Sequence, residues 1–317
     1  MNLSRWALWK KSAGGRTPEQ LRNHYVVEKE LADRLRGATR EERSEIYRTM
    51  YDILFSKVPD HPRLTRREDP DASSRANHRK LKLVERFVRG DATCVEFGPG
   101  DCTFSQEMAK RAGRVIGIDL SDQAGRLVTV PNFQLVVYDG YQLDLPDGTA
   151  DLVFSDQLLE HLHPDDVGLH FALVRRLLKP EGVYVCRTPH QFSGPHDVSG
   201  YFCEEAEGFH LKEWTYREIG SAMAEQGLSW RGYWVARSLS IPIPKACLYG
   251  AEAMLDALPR GLRKRLSCFV FPSVTVAAYK TNREDLTRLP SKANDTPASQ
   301  QGDRREQENV STAQYTP

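Results

Sequence analysis

The chain has 317 residues, 40% of them hydrophobic, enough to bury a sizeable core as one large domain with additions or as two small ones. With 44 basic and 43 acidic side chains the formal net charge is +1, which leaves no global basic footprint for nucleic acid. The six cysteines, Cys94, Cys102, Cys186, Cys203, Cys247 and Cys268, form no C-x-x-C pair and no zinc-site or disulfide spacing, and read as reduced thiols in a cytoplasmic protein.

In chain order, Met1 to Ser12 carries Trp6, Leu8 and Trp9 among basic residues, without the apolar core of a signal peptide. A weak membrane-surface contact by the two tryptophans competes there with a packed or frayed terminus. No run in the chain approaches the roughly 18 apolar residues of a transmembrane segment. Thr17-Pro18-Glu19-Gln20 reads as a helix start, with Leu21, Tyr25, Leu31 and Leu35 on one face and Gly37 as the stop. Thr39 and Glu42 cap a second helix carrying Ile46, Met50, Ile53 and Leu54. Val58 to Ser73, with three prolines, reads as loop, and Asn77 to Arg89 as a third helix. Residues 1–90 are thus a helical extension, whose charge-rich faces, such as Arg40 to Arg43, read as solvated surface.

Cys94-Val95-Glu96-Phe97 is a short apolar run ending in Gly98-Pro99-Gly100-Asp101. Phe104 to Ala112 reads as a helix and Arg114 to Asp119 as a second strand, giving strand, glycine turn, helix, strand. A dinucleotide would call for G-x-G-x-x-G so that the helix N-terminus approaches a pyrophosphate, but Thr103 stands where the third glycine belongs. Glu96 would repel phosphate and attract an ammonium group. S-adenosylmethionine meets these requirements, with Asp119, about 20 residues past the loop, placed to hold its ribose diol.

Phe133 to Tyr138 reads as a third strand closed by Asp139-Gly140-Tyr141, and Ala150 to Asp156 as a fourth. Ligands of open α/β sheets bind outside the carboxyl ends of the strands, so Glu96, Asp119, Asp139 and Ser155-Asp156 should share one rim.

These motifs resemble those of the class I S-adenosylmethionine-dependent methyltransferases, with Cys102 standing where such enzymes often carry a third glycine. Asp156-Gln157-Leu158-Leu159-Glu160-His161-Leu162 and Leu177-Leu178-Lys179-Pro180-Glu181-Gly182 are similar to segments of the branch that includes ubiquinone and biotin biosynthetic methyltransferases. The resemblance covers roughly residues 90 to 190 and implies an α/β, Rossmann-like seven-stranded sheet with helices on both faces. It assigns Glu96, Gly98 and Gly100 to the methionine end, Asp119 to the ribose hydroxyls and Asp139 with Gly140 to the adenine. Ser155 and Gln157 would border the methionine and sulfonium, and Pro99, Leu120, Tyr141 and Asp156 complete the cofactor set. In this family a helical preface commonly forms a lid; a bundle on the far side of the sheet or a dimer contact is the alternative.

Six of the nine histidines fall between His161 and His210. His190 and His196, after the fifth strand (Val183 to Arg187), are the preferred general bases for a hydroxyl acceptor. His161 is a further candidate, and Asp197 or Glu160 could orient a ring. No metal is expected, because no mixed histidine and carboxylate cluster stands out on one helix. Phe192 to Phe209 reads as a loop walling an acceptor pocket or as ordered surface. Thr215 and Glu218 cap another helix, and Trp230 to Arg237 and Ser273 to Tyr279 read as the last two strands. The insertion 238–272, with Ile241-Pro242-Ile243-Pro244, an apolar helix and basic Arg260, Arg263, Lys264 and Arg265, is compatible with core cover or with a membrane, lipid-linked or protein contact. Residues 283–317 are polar and aromatic-poor and read as a disordered tail. The expectation is a methyltransferase domain over 91–282 acting on a hydroxyl of a small molecule or glycan. Nitrogen or carbon methylation and a non-catalytic cofactor-binding module are the alternatives.

Overall fold

A computed structural model describes residues 13–67, 69–121, 130–236 and 239–281. The readings of Trp6 and Trp9, of Arg237 as a strand end and of the tail 283–317 lie outside the described residues. Four helices come first: α1 (Pro18–Gly37), α2 (Arg40–Lys57), α3 (Pro62–Arg67) and α4 (Pro70–Val84). Both expected capping boxes are present, Thr17 with Gln20 and Thr39 with Glu42. The stretch expected to be loop instead holds α3 and the start of α4. Asp69 accepts from the Ala72 amide and Pro70 occupies the first turn, so that helix begins earlier and ends at Val84.

The sheet follows as β1 (Thr93–Phe97), β2 (Arg114–Asp119), β3 (Phe133–Val137), β4 (Ala150–Asp156), β5 (Leu178–Pro189), β6 (Leu228–Ala236), β7 (Leu239–Ile243) and β8 (Ser273–Lys280). Its order is β3-β2-β1-β4-β5-β8-β6-β7, parallel through β5 and antiparallel beyond. The sheet is Rossmann-like with eight strands rather than seven. The additional one, β7, comes from the insertion and lies at the edge, pairing only with β6, where Pro242 can sit opposite Tyr233 without being asked for a second ladder bond. Helices α5 (Thr103–Ala109), α6 (Val167–Leu177), α7 (Tyr216–Glu225), α8 (Lys245–Asp256) and α9 (Arg260–Val270) complete the α-helices of the described residues, and short 3-10 turns lie at Leu159–His161, Pro164–Asp166, Gln191–Ser193 and Val198–Tyr201.

Strand alternation sends side chains to two apolar clusters. Val95, Phe97, Ile116, Ile118 and Val153 pack on one face with Phe171 of α6 and Ile219 of α7. Cys94, Val115, Leu152 and Phe154 pack on the other with Leu81 of α4 and Phe104 of α5. Helices α1 and α2 have a third core of their own, in which Leu31, Leu35, Met50 and Leu54 enclose Phe209 from the loop after β5. The extension is tied to the sheet by a buried ion pair. Arg43 of α2 donates to both oxygens of Asp166 at 2.9 and 2.8 Å, and to the Ala38 carbonyl. Tyr141 adds a 2.8 Å bond to Asp166. Removing one member strands the other charge, so Arg43→Met is expected to lower unfolding stability by about 3–5 kcal/mol in urea titration; a loss under about 1 kcal/mol would mean that the pair behaves as a solvated surface bridge.

Candidate functional site

The carboxyl ends of β1, β2 and β4 open on a cavity of about 330 Å³. The turn after β1 holds Gly98 at φ +65°, Gly100 at φ +60° and Cys102 at φ +57°. Cys102 thus keeps the left-handed backbone that glycine adopts freely, at a cost of about 1–2 kcal/mol, and the turn geometry survives the replacement. Asp119 at the end of β2 accepts from the Leu120 amide at 2.7 Å and the Gly100 amide at 3.3 Å, which locks the turn to the neighbouring strand. Burial raises its pKa.

Of the residues assigned to the cofactor, Gly98, Pro99, Gly100, Asp119, Leu120, Gly140, Tyr141, Asp156 and Gln157 border this cavity. Glu96, Asp139 and Ser155 do not. Glu96 is buried below the turn, where it accepts from Ser105 Oγ at 2.5 Å. Desolvation raises its pKa against the pull of Lys80 and Ser105. Asp139 turns back to accept the Tyr141 and Gln142 amides at 2.8 and 2.6 Å, and so shapes the loop rather than facing the cavity. Ser155 is bonded to the Tyr184 hydroxyl at 2.7 Å, beneath the surface. Lys80 of α4, which the sequence reading did not single out, reaches into this corner. Its Nζ is 3.9 Å from Glu96 Oε1 and 3.7 Å from Asp156 Oδ2, while Asp156 also takes two bonds from Arg187. Carboxylates and a cation side by side suit an amino acid zwitterion, so the residues present fit the amino acid end of S-adenosylmethionine. Tyr47, Met50, Tyr51 and Phe55 of α2 supply the facing wall.

A second cavity of about 330 Å³ lies between α1, α3 and the loop after β5, and shares Tyr51, Arg63, Gln157 and His161 with the first. Gln157 holds φ +57°, a conformation rare for a non-glycine residue, at this junction. His161 Nδ1 faces the Phe209 carbonyl at 2.9 Å, which fixes the proton on Nδ1 and leaves the Nε2 lone pair, 3.3 Å from Arg63 Nη2. Burial, then the charges of His210 and Arg63, hold its pKa well below that of free histidine.

The other proposed bases sit differently. His190 is not on a substrate-facing surface: it is wholly buried, accepts from the Phe192 amide through Nδ1, meets Glu252 at 3.0 Å through Nε2, and stacks on Phe271. It borders neither cavity. His196 borders the second cavity, but Nδ1 meets Glu213 at 3.2 Å and Nε2 meets Ser193 Oγ at 3.2 Å. Asp197 also borders it, with its carboxylate accepting from the amides of Ser199, Gly208 and His210. These are loop-building contacts.

The same cavity holds two histidine and carboxylate groups, His24-Glu28-His61 and Glu160-His161-His210. The first corrects the expectation that no helix carries a mixed cluster, since His24 and Glu28 are four apart on α1 and meet at 2.7 Å. That spacing was readable; its union with His61 across a proline-rich turn was not. Arg16 donates to His24 Nδ1 and the Arg63 amide to His61 Nδ1, so both rings direct an Nε2 proton at Glu28. Burial would raise the Glu28 pKa, but these two rings hold it far below the carboxylate range. In the second group Glu160 accepts from Thr188 through one oxygen, while its Oε1 is buried without a hydrogen-bond partner. Burial raises the pKa of Glu160. His210 is opposed by burial but bonded to Glu213 at 2.8 Å, which lifts it to about 9. Glu213, despite burial, is drawn to about 2 by His196 and His210.

Residues 95–186 match the family described as methyltransferase domain. Phosphoethanolamine N-methyltransferase 1 of Triticum aestivum is 31% identical over 98 residues, 28% of this chain and 20% of that protein, so the matched stretch spans about a fifth of the curated relative. Among solved structures, the 1,6-didemethyltoxoflavin-N1-methyltransferase of Burkholderia thailandensis, with 1,6-didemethyltoxoflavin and S-adenosylhomocysteine bound, superposes with a TM-score of 0.50. It is 16% identical and the match covers 77% of this chain and 92% of that chain. At that identity the likeness is one of fold.

Two outcomes follow from this geometry. Lys80→Met and Asp119→Ala should each weaken S-adenosylhomocysteine binding roughly 10- to 100-fold in calorimetric titration, and unchanged affinity in both would place the cofactor elsewhere. His210, with its folded pKa raised from 6.5 to about 9, contributes stability that is complete below pH 6.5 and lost as pH rises through about 9. Glu213, lowered from 4.5 to about 2, contributes stability present above pH 4.5 and lost as pH falls through about 2. The melting temperature should therefore fall between pH 6.5 and 9, and His210→Gln should flatten that slope.

Proposed function

We propose that this chain, which carries a class I S-adenosylmethionine-dependent methyltransferase domain, methylates a hydroxyl of a small polar molecule or glycan held in the second cavity. The observation that carries this reading is the shared border of the two cavities at Gln157 and His161. S-adenosylmethionine supplies a methyl group already activated by a positive sulfur. What remains for the chain is to hold the acceptor in line, keep water out and take a proton. The first cavity fits the cofactor role, with the residues of the glycine turn, Asp119 and the Lys80 corner as its ligands. Helix α2 acts as a roof over both cavities and α1 over the second, the lid of the family resemblance, since α2 contributes to both linings and α1 to the second.

His161 is the base in this reading. Its Nδ1 proton is committed to the Phe209 carbonyl, its Nε2 lone pair stands at the junction beside Arg63, and its depressed pKa keeps Nε2 unprotonated at neutral pH. The buried Oε1 of Glu160 supports an acceptor that brings a hydrogen-bond donor, and Arg63 beside His161 supports one that brings an acceptor atom or negative charge. A nitrogen acceptor is the competing reading, favoured by the likeness to the Triticum aestivum N-methyltransferase.

The test is production of S-adenosylhomocysteine with panels of hydroxyl and amine acceptors. His161→Gln should lower kcat on a hydroxyl acceptor by roughly 10²- to 10⁴-fold while leaving S-adenosylhomocysteine affinity within about twofold. His190→Gln should act through stability alone. Full turnover by His161→Gln, or methylated amine as the sole product, would overturn the oxygen reading.

A further inference from the structure

We infer that α9 is a docking surface for an anionic membrane, independent of which acceptor the site takes. The helix is turned inside out relative to a core helix. Leu262, Leu266 and Phe269 recur at i, i+4 and i+7, forming one stripe, and are 46%, 40% and 77% exposed. Val270 beside them is 39% exposed. The attached flank of the helix runs through Ser267 and Arg263: Ser267 is fully buried and the Arg263 guanidinium lies 4.9 Å over the Phe192 ring. An apolar stripe of this size facing outward on a surface helix calls for a partner.

Charge identifies the partner. Between Asp256 and Thr281 the sequence has no acidic residue, while α9 contributes Arg260, Arg263, Lys264 and Arg265. Arg263 pairs with Asp256 and Arg260 with Glu204 and Glu205. Lys264 and Arg265 have no carboxylate partner among the described residues. An apolar stripe bordered by unpaired cations is the pattern of a helix lying in the interface of a bilayer, with aromatic and leucine side chains among the acyl chains and lysine and arginine at anionic headgroups. A second copy of the chain is disfavoured by the same residues, because a two-fold contact over this face would oppose like charges. The inner side of α9 packs on the turn Gln191–Ser193, and Arg260 grips the loop that continues from the acceptor-cavity residues Val198 and Tyr201. Membrane contact would thus be made next to that wall.

The experiment is co-sedimentation of the full chain with vesicles of phosphatidylcholine alone and of equimolar phosphatidylcholine and phosphatidylglycerol. Binding is expected to the mixed vesicles and to weaken with salt. The charge reversal Lys264→Glu/Arg265→Glu should reduce it by roughly 25-fold or more, and Leu266→Ser/Phe269→Ser by at least roughly tenfold. Because all four side chains are exposed, both double variants should melt with the wild type. Equal sedimentation with the two vesicle types, unchanged binding by the charge-reversal variant, or a dimer that Leu266→Ser/Phe269→Ser dissociates without any vesicle binding would each overturn the assignment.

Discussion

The candidate site depends on one backbone unit, that of Phe209. Its amide donates to Glu28 at 3.3 Å and its carbonyl accepts from His161 at 2.9 Å, while its ring is buried among the residues of α1 and α2. Helical extension, acceptor loop and proposed base are thereby fixed against one another at a single residue. The position of Phe209 is over-determined by its neighbours. Asp197 accepts from the amides of Gly208 and His210 on either side, and Gly208 has no room for a side chain because a Cβ there would come within 2.6 Å of Glu28 and 2.7 Å of Asp197. An imidazole held by a main-chain carbonyl cannot change tautomer without breaking this arrangement, which is why the lone pair of His161 is assigned to Nε2, beside Arg63.

Burial acts on six carboxylates near the two cavities, yet the outcomes diverge with the donors available. Glu96, Asp119, Glu160 and Asp197 are pushed upward by desolvation that their partners only partly offset. Glu28 and Glu213 go the other way because each is met by two histidine rings. The second cavity is therefore lined by one anion already satisfied by imidazoles, Glu28, with Glu213 satisfied in the same way outside the lining, and by one carboxylate oxygen left without a donor, Oε1 of Glu160. That contrast makes Glu160, rather than the more numerous charges around it, the group to which an incoming donor would respond.

The alternation of apolar residues and the acid at each strand end made β1 to β4 and their common rim legible, because both follow from local periodicity and sheet topology. Capping chemistry made α1, α2 and α7 legible in the same way. The start of α4 is not legible from proline content alone, because the same residue marks loops and, behind the cap Asp69, opens this helix as Pro70. His190 illustrates the limit for sites. A histidine after a strand in a loop reads as accessible, and only the arrival of Glu252 and Phe271, 62 and roughly 80 residues away in sequence, reveals it as core. Lys80 was hidden for the converse reason: nothing in a helix ahead of β1 signals that its side chain reaches the far side of the glycine turn.

The division between the two cavities also divides the sequence. The segment that matches the methyltransferase domain, 95–186, supplies the glycine turn, Asp119, Gly140 and Asp156 to the first cavity. The second is built mainly from residues outside it: Arg16, His24 and Glu28 of the extension, His61 and Arg63 beside α3, and His196, Phe209 and His210 of the loop after β5. Only Gln157, Glu160 and His161 of its lining lie within the matched segment. In the proposed reading, cofactor chemistry and acceptor recognition are therefore encoded in separable parts of the chain, joined at the residues that follow β4. Changes in α1 or in the loop carrying Phe209 can reshape the second cavity while the rim of β1 and β2 stays as it is, and the short run from Gln157 to His161 is where the two linings meet.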